Sequence, residues 1–284
     1  TEGVPLFIEE FIKSLKDLNI IERKGSQYLF AKRFLELTIP STIQDVVMAR
    51  VDALAEGAKE VLQTGSVIER EFSYELIKRV TGLSEQELLS RLSILKDSEL
   101  IFERGIYPDT IYIFKHALTR EVIYDSILKR RREQLHEKIG NAIEEICKET
   151  IDEYYGVLAD HYISGKNYTK GADYSKLAER KAEKAASLND AITYAKKRIS
   201  CLEKLPVDDD VEKKIISART VLGLYYTQFG LPVEAKAVID PIVDLANKHN
   251  YKRRVSQINF ILGFYYHLVN EDYSKALGYY EKAL

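Results

Sequence analysis

The C-terminal third of the chain repeats itself, and that self-similarity narrows the available folds more than any single motif. Leu222-Gly223-x-x-Tyr226 returns 40 residues later as Leu262-Gly263-x-x-Tyr266. Downstream of each stands an alanine with a larger residue four positions on, Ala235-x-x-x-Ile239 and Ala276-x-x-x-Tyr280. A weaker copy places Ala191-x-x-x-Ala195 after a helical stretch containing Leu177 and Ala178. Spacings of three and four belong to the α-helix. Small residues mark where two antiparallel helices approach closely, and bulky ones fill the gaps between pairs. One pair cannot bury its own apolar face, so the pattern predicts stacked pairs.

The arrangement resembles the tetratricopeptide repeat, which carries L-G-x-x-Y in its first helix and A-x-x-x-F in its second. It departs from that family in having Arg219 and Asn259 at the tryptophan position, and in a period longer than about 34 residues, which longer helices would explain. The resemblance implies a groove for a protein or peptide, built from the first helix of each pair. Counted from the Leu-Gly landmarks, Thr220, Leu224 and Gln228 would line it in one copy, and Phe260, Phe264 and His267 in the next. Lys176, Arg180 and Lys184 would lie on the weaker first copy. Phe260 and Phe264 could equally pack against a further repeat, because Leu284 stops inside an amphipathic pattern.

The first half mixes helices with short extended runs. An amphipathic helix is predicted from Pro5 to Leu18, then a small hairpin of Ile20-Ile21-Glu22 and Gln27 to Phe30. Ser41-x-x-Gln44 and Ser84-x-x-Glu87 are capping boxes opening helices. Further helices are predicted through Val61 and Val67 and from Tyr74 to Val80. Leu100 to Glu103 and Ile111 to Phe114 flank breaker residues around Gly105 and Pro108, predicting a two-stranded wing after the helices, the order of a winged-helix domain. From His116 the helical period is continuous. The expected division is a residual lid segment with the hairpin over 1–40, a winged-helix domain over 41–128, a helical linker over 129–168 and the repeats over 169–284.

Composition supports a mainly helical globular chain: 45% hydrophobic and 30% charged residues, with only six prolines and fourteen glycines. A net charge of -2 gives no global attraction to nucleic acid or anionic lipid. Cys147 and Cys201 match no ligand spacing and suit a reducing compartment. No apolar run reaches the length of about 20 residues that crosses a bilayer, and no leader pattern opens the sequence, so a cytoplasmic location is expected. Thr1 in place of Met, with the abrupt end at Leu284, suggests a piece of a larger protein.

Three stretches resemble the C-terminal half of bacterial STAND signalling ATPases, often fused to adenylate cyclase or kinase modules. Gly3-Val4-Pro5-Leu6-Phe7-Ile8-Glu9-Glu10 is similar to the segment closing their nucleotide-binding module. Ile39 to Gln44, followed by Ala49-Arg50-Val51-Asp52, resembles their approach to a winged helix. Phe114 to Leu128, with Arg130-Arg131-Arg132-x-x-Leu135-His136, resembles the helix after the wing. The resemblance implies a switch in which an upstream ATPase core moves against the winged-helix unit while the repeats sense a partner. In an intact parent, Gly3 and Pro5 would lie beside the adenine of ATP, with magnesium on the phosphates. This chain has no G-x-x-x-x-G-K-[ST] loop, so no nucleotide cofactor is expected for it alone.

Point chemistry is sparse. His116, His136, His161, His249 and His267 form no metal-ligand spacing, and no Ser, His and acid set has a nucleophile motif. The alternative of a DNA-binding transcriptional regulator meets Glu85, Glu87, Asp97 and Glu99 on the candidate recognition helix, against Arg91 and Lys96. Lys129 to Arg132 points around most of a helix and reads as a solvated, ion-paired turn. The sequence thus predicts a binding and regulatory chain with neither catalytic residues nor a metal of its own.

Overall fold

The computed structural model describes residues 8, 12, 21–24, 27–30 and 43–284, with only the backbone for 22–24, 27–30 and 43. Of the helix expected over 5–18, Ile8 and Ile12 are described and both are helical; the remainder, with Gly3, Pro5, Ser41 and Pro40, lies outside the described residues. The chain is mainly helical with a small three-stranded sheet and divides into two compact units, 1–142 and 143–284.

In the first unit, β1 (Ile21–Lys24) and β2 (Gln27–Phe30) form an antiparallel ribbon with Ile21 opposite Phe30. Helices α1 (Ile43–Asp52) and α2 (Glu56–Ile68) follow, then β3 (Glu71–Ser73), α3 (Tyr74–Thr81), α4 (Glu85–Asp97), β4 (Ile101–Arg104), β5 (Ile111–Phe114), α5 (Ala117–Ser126) and α6 (Lys129–Ile146). The expected two-stranded wing is a three-stranded antiparallel sheet ordered β3-β5-β4. Its extra strand, three residues long, brings Phe72 against Tyr112 and Phe114, with ring centroids 5.9 Å apart in both cases. A Cβ on Gly65 would come within 2.7 Å of the Phe72 ring, which accounts for a glycine inside α2.

The core gathers Val61, Leu62, Ile77, Leu88, Leu92, Leu95, Leu100, Phe114 and Ile123. Two arginines hold helix ends together. Buried Arg50 of α1 donates to the Ser98 carbonyl beyond the end of α4 at 2.5 Å, and Arg120 of α5 donates through Nε to the Ser66 carbonyl in the last turn of α2 at 2.7 Å. Carbonyls at helix C-termini lack intrahelical donors and carry partial negative charge, so a guanidinium satisfies both needs. α4 opens with the expected capping box: the Glu87 N–H donates to Ser84 Oγ and the Ser84 N–H to the Glu87 carboxylate.

In the second unit a 3-10 turn (Ile151–Tyr154) leads to α7 (Tyr155–Ser164), α8 (Tyr168–Lys184), α9 (Leu188–Leu202), α10 (Asp209–Gln228), α11 (Pro232–Ile239), a 3-10 turn at Asp240–Ile242, α12 (Val243–Lys248), α13 (Lys252–Leu268) and α14 (Tyr273–Ala283). One turn design recurs between these helices. Lys166, Ala186, Gly230, Asn250 and Glu271 all have positive φ. The next N–H reaches back over the helix end: Asn167 to the Tyr162 carbonyl, Ser187 to Ala182 and Leu231 to Tyr226, each at 2.9 Å, and Tyr251 to Ala246 at 3.1 Å. This is the bond pattern of a left-handed C-terminal cap. Five residues past the left-handed position stand Gly171, Ala191, Ala235 and Ala276, all buried; Val255 breaks the series.

Those small residues let the helices meet. A Cβ on Gly223 would lie 2.9 Å from both Ile239 and Ile261, and one on Gly263 would lie 2.6 Å from the Tyr280 ring. Ile239 and Tyr280 each stand four residues after a buried alanine, so the two copies repeat in packing as well as in sequence. Antiparallel register is direct in the last pair: Asn259 donates to the Lys282 carbonyl at 3.4 Å while Gly263 meets Tyr280. Arg219 donates to the Val238 carbonyl at 3.1 Å and to Glu203. Arg219 and Asn259, at the family's tryptophan position, thus bind carbonyls of the facing helix. The long period is taken up by a 20-residue α10 and by helical backbone interrupted at Pro241.

Candidate functional site

The helix face bearing the residues expected to bind a partner is α8, α10 and α13. Leu224 of α10 and Phe260 of α13 come together, with Ser256, Gln257, Tyr280, Ala283 and Leu284, around a mostly apolar groove of about 390 Å³. Phe260 is 43% exposed and its ring lies 6.0 Å from that of Tyr280. The other expected residues do not line it. Thr220 is fully buried, its hydroxyl donating to the Ile216 carbonyl at 2.7 Å, so it belongs to the core because close packing at Gly223 draws α10 inward. Gln228 is exposed at the end of α10, Phe264 is half-buried, and exposed His267 meets the Tyr273 ring edge-on at 5.6 Å. Lys176 and Arg180 sit one turn apart on α8, half-buried and exposed respectively.

Three residues not singled out from the sequence, Ser217, Arg254 and Gln257, belong to this face together with Tyr280 of the second alanine motif. Arg254 donates to Ser217 Oγ at 2.7 Å and to Gln257 Oε1 at 2.8 Å, linking α10 to α13. Counting one and two helical turns back from Leu224 and Phe260 would have found the first three.

Between α8, α9 and α10 lies a buried polar set. Arg198 donates to Glu179 at 3.2 Å, and Tyr225 donates to the same carboxylate at 3.4 Å. Burial raises the Glu179 pKa more than the attraction of Arg198 lowers it. Glu179 precedes Ala191 by the spacing that separates Gly223 from Ala235, so a carboxylate fills the position where later copies have glycine.

Among the described residues, Asp209, Glu212 and His249 form a group whose ligand atoms lie within 4.8 Å of one another. His249 Nε2 is 2.6 Å from Glu212, and the Lys248 ammonium is 3.8 Å from the same carboxylate. The acids occupy the first turn of α10, where the helix dipole favours anions. The bond between His249 and Glu212 pins α10 to the end of α12.

In the first unit the two basic residues of the candidate recognition helix have different surroundings. Arg91 lies against Gly57 of α2, and Lys96 pairs with Glu103 at 2.8 Å. Of the basic run at the start of α6, Arg131 pairs with Glu60 and Arg132 with Asp125, both at 3.1 Å. No described helix is long and apolar enough to cross a membrane.

The structure therefore defines a helical-pair array preceded by a small α/β unit. No family model matches the sequence. No curated protein matches it either. Among solved structures, similarity is found to a signal transduction ATPase with numerous domains (STAND) carrying a tetratricopeptide repeat sensor, from Pyrococcus horikoshii. That match has 13% identity and a TM-score of 0.28, covering 100% of this chain and 55% of the other. The chain thus spans about half the length of that protein.

Proposed function

We propose that this chain is the regulatory and sensor segment of a STAND-like signal-transduction ATPase, acting by packing against an upstream ATPase core of the same parent and by binding a protein partner through its repeats. The observation that carries the reading is the recurrence of one turn and one glycine-to-bulky contact across the array, the architecture of tetratricopeptide-like repeats. The first unit supports a winged-helix assignment: its helices are interleaved with a sheet ordered β3-β5-β4, and β4 and β5 form the wing. Its helix α4 is acidic and ion-paired outward, which favours packing on protein over binding DNA. In this reading Gly3 and Pro5 contact ATP only in the intact parent, and the chain itself carries no catalytic group.

The test is nucleotide hydrolysis by the full-length parent with Leu224→Asp or Phe260→Asp in the groove. A sensor segment changes basal or stimulated hydrolysis several-fold while the thermal midpoint of this chain stays within a few degrees. Hydrolysis rates identical to wild type in both states would remove the reading.

A further inference from the structure

Three side chains that no sequence spacing groups together meet where the end of α12 reaches the start of α10. Asp209 and Glu212 stand three residues apart in the first turn of α10 and so share one face of the helix. His249, 37 residues beyond Glu212, turns its Nε2 to the Glu212 carboxylate at 2.6 Å. One ligand atom from each residue lies within 4.8 Å of the other two. The backbone is held on both sides of the contact. Asp208 caps α10 by accepting the Val211 N–H at 2.8 Å. His249 closes α12, its N–H on the Leu245 carbonyl at 3.1 Å, and the Tyr251 N–H returns to the Ala246 carbonyl at the same distance. The His249 side chain is only 8% exposed, so its ring is withdrawn from water. Asp209 is exposed and its carboxylate makes no hydrogen bond or ion pair among the described residues.

An imidazole with two carboxylates suits a divalent ion of borderline softness, zinc above all, whereas magnesium and calcium take oxygen ligands. Zinc bonds of about 2.0–2.2 Å set tetrahedral donors about 3.3–3.5 Å apart. The contact between His249 and Glu212 must therefore widen, and the two carboxylates rotate to face the ion. The positive end of α10 opposes a cation with about half a unit charge. Asp208, Asp209, Asp210 and Glu212 bring four carboxylates to that turn, of which Lys214 offsets Asp210. Lys248, 3.8 Å from Glu212, is an exposed partner that gives way at little cost.

We propose that Asp209, Glu212 and His249 bind one zinc ion, with water in the fourth position, and that the ion clamps the end of α12 onto α10. The proton shared between His249 and Glu212 leaves to solvent as zinc takes its place. The site shares no residue with the apolar groove and does not rest on the partner-binding role.

The test is isothermal titration of the whole chain with zinc chloride, in parallel with magnesium chloride and calcium chloride. Zinc should bind one-to-one and raise the thermal midpoint, EDTA should restore the metal-free midpoint, and magnesium and calcium should give no binding heat. Asp209→Asn, at an exposed residue with no bond to lose, should weaken zinc by about tenfold or more. His249→Gln should abolish one-to-one binding; should that variant fail to fold, Asp209→Asn decides alone. Absence of zinc binding overturns the inference. So does an affinity in Asp209→Asn equal to that of the unaltered chain, which would place the zinc on other histidines or cysteines. Magnesium bound as tightly as zinc would mark nothing more than an acidic surface and would overturn it too.

Discussion

Burial, and then the charges of Arg120 and Arg132, push the pKa of His136 down to about 4. Its Nε2 is hydrogen-bonded to the Tyr124 hydroxyl at 3.0 Å. Between that value and the ordinary 6.5, the unfolded chain takes up a proton that the folded one refuses. The contribution is therefore complete above pH 6.5 and is lost as pH falls toward 4, on the order of 2–3 kcal/mol in all. His136→Gln, which keeps a hydrogen-bonding group, should flatten the fall in thermal midpoint between pH 7 and pH 5. An equally steep fall in the variant would assign the pH dependence elsewhere. Arg50 and Arg120 make a related point about reading sequences. Both lie in stretches that carried the family resemblance, and both serve as carbonyl clamps at helix ends. Their role was not legible, because an arginine inside a helical pattern reads as a surface charge until its acceptor, 48 or 54 residues away, is known.

At the scale of elements, the copies clearest in the sequence were those with glycine at the crossing. Leu158-Ala159-x-x-Tyr162, followed by Gly171, is a further copy that was missed: all four residues are buried, but alanine replaces the glycine and its distance to Leu222 is not the repeat period. Strand β3 was missed because three residues ending in the N-cap Ser73 cannot display an alternation. Of the residues expected to face a groove, Leu224 and Phe260 line one and Thr220 is buried, since helical counting gives a residue's direction but not how closely the next helix approaches. The two glycines of the last pair separate these effects experimentally. Gly263→Ala, forced within 2.6 Å of the Tyr280 ring, should lose about 1–3 kcal/mol. Gly278→Ala, with nothing within 4 Å of its Cβ, should gain about 0.5–1 kcal/mol from helix propensity. Urea denaturation of the two variants checks the signs; the same sign for both would show that packing at Gly263 is not as described.

For the molecule as a whole, the two compact units keep different kinds of core. The first closes on one cluster around α2 and the sheet, whereas the second extends a seam from Ala172 through Ala235 to Leu262. A closed core fixes its own size; a seam does not. Gly230 and Glu271 both take a left-handed backbone, and the closing bond after Glu271, from the Asp272 N–H to the Tyr266 carbonyl at 3.0 Å, spans one residue more than that from Leu231 to Tyr226, so the stretch from Leu231 to Glu271 begins and ends on closely related backbone. A chain carrying that stretch twice in tandem should fold as a longer array with a steeper urea dependence, reflecting the added buried surface, and an unchanged or shallower dependence would show the turns not to be interchangeable. Length in such a molecule is then a countable property, altered by whole modules in the way a zip is lengthened by teeth, without redesign of what lies on either side.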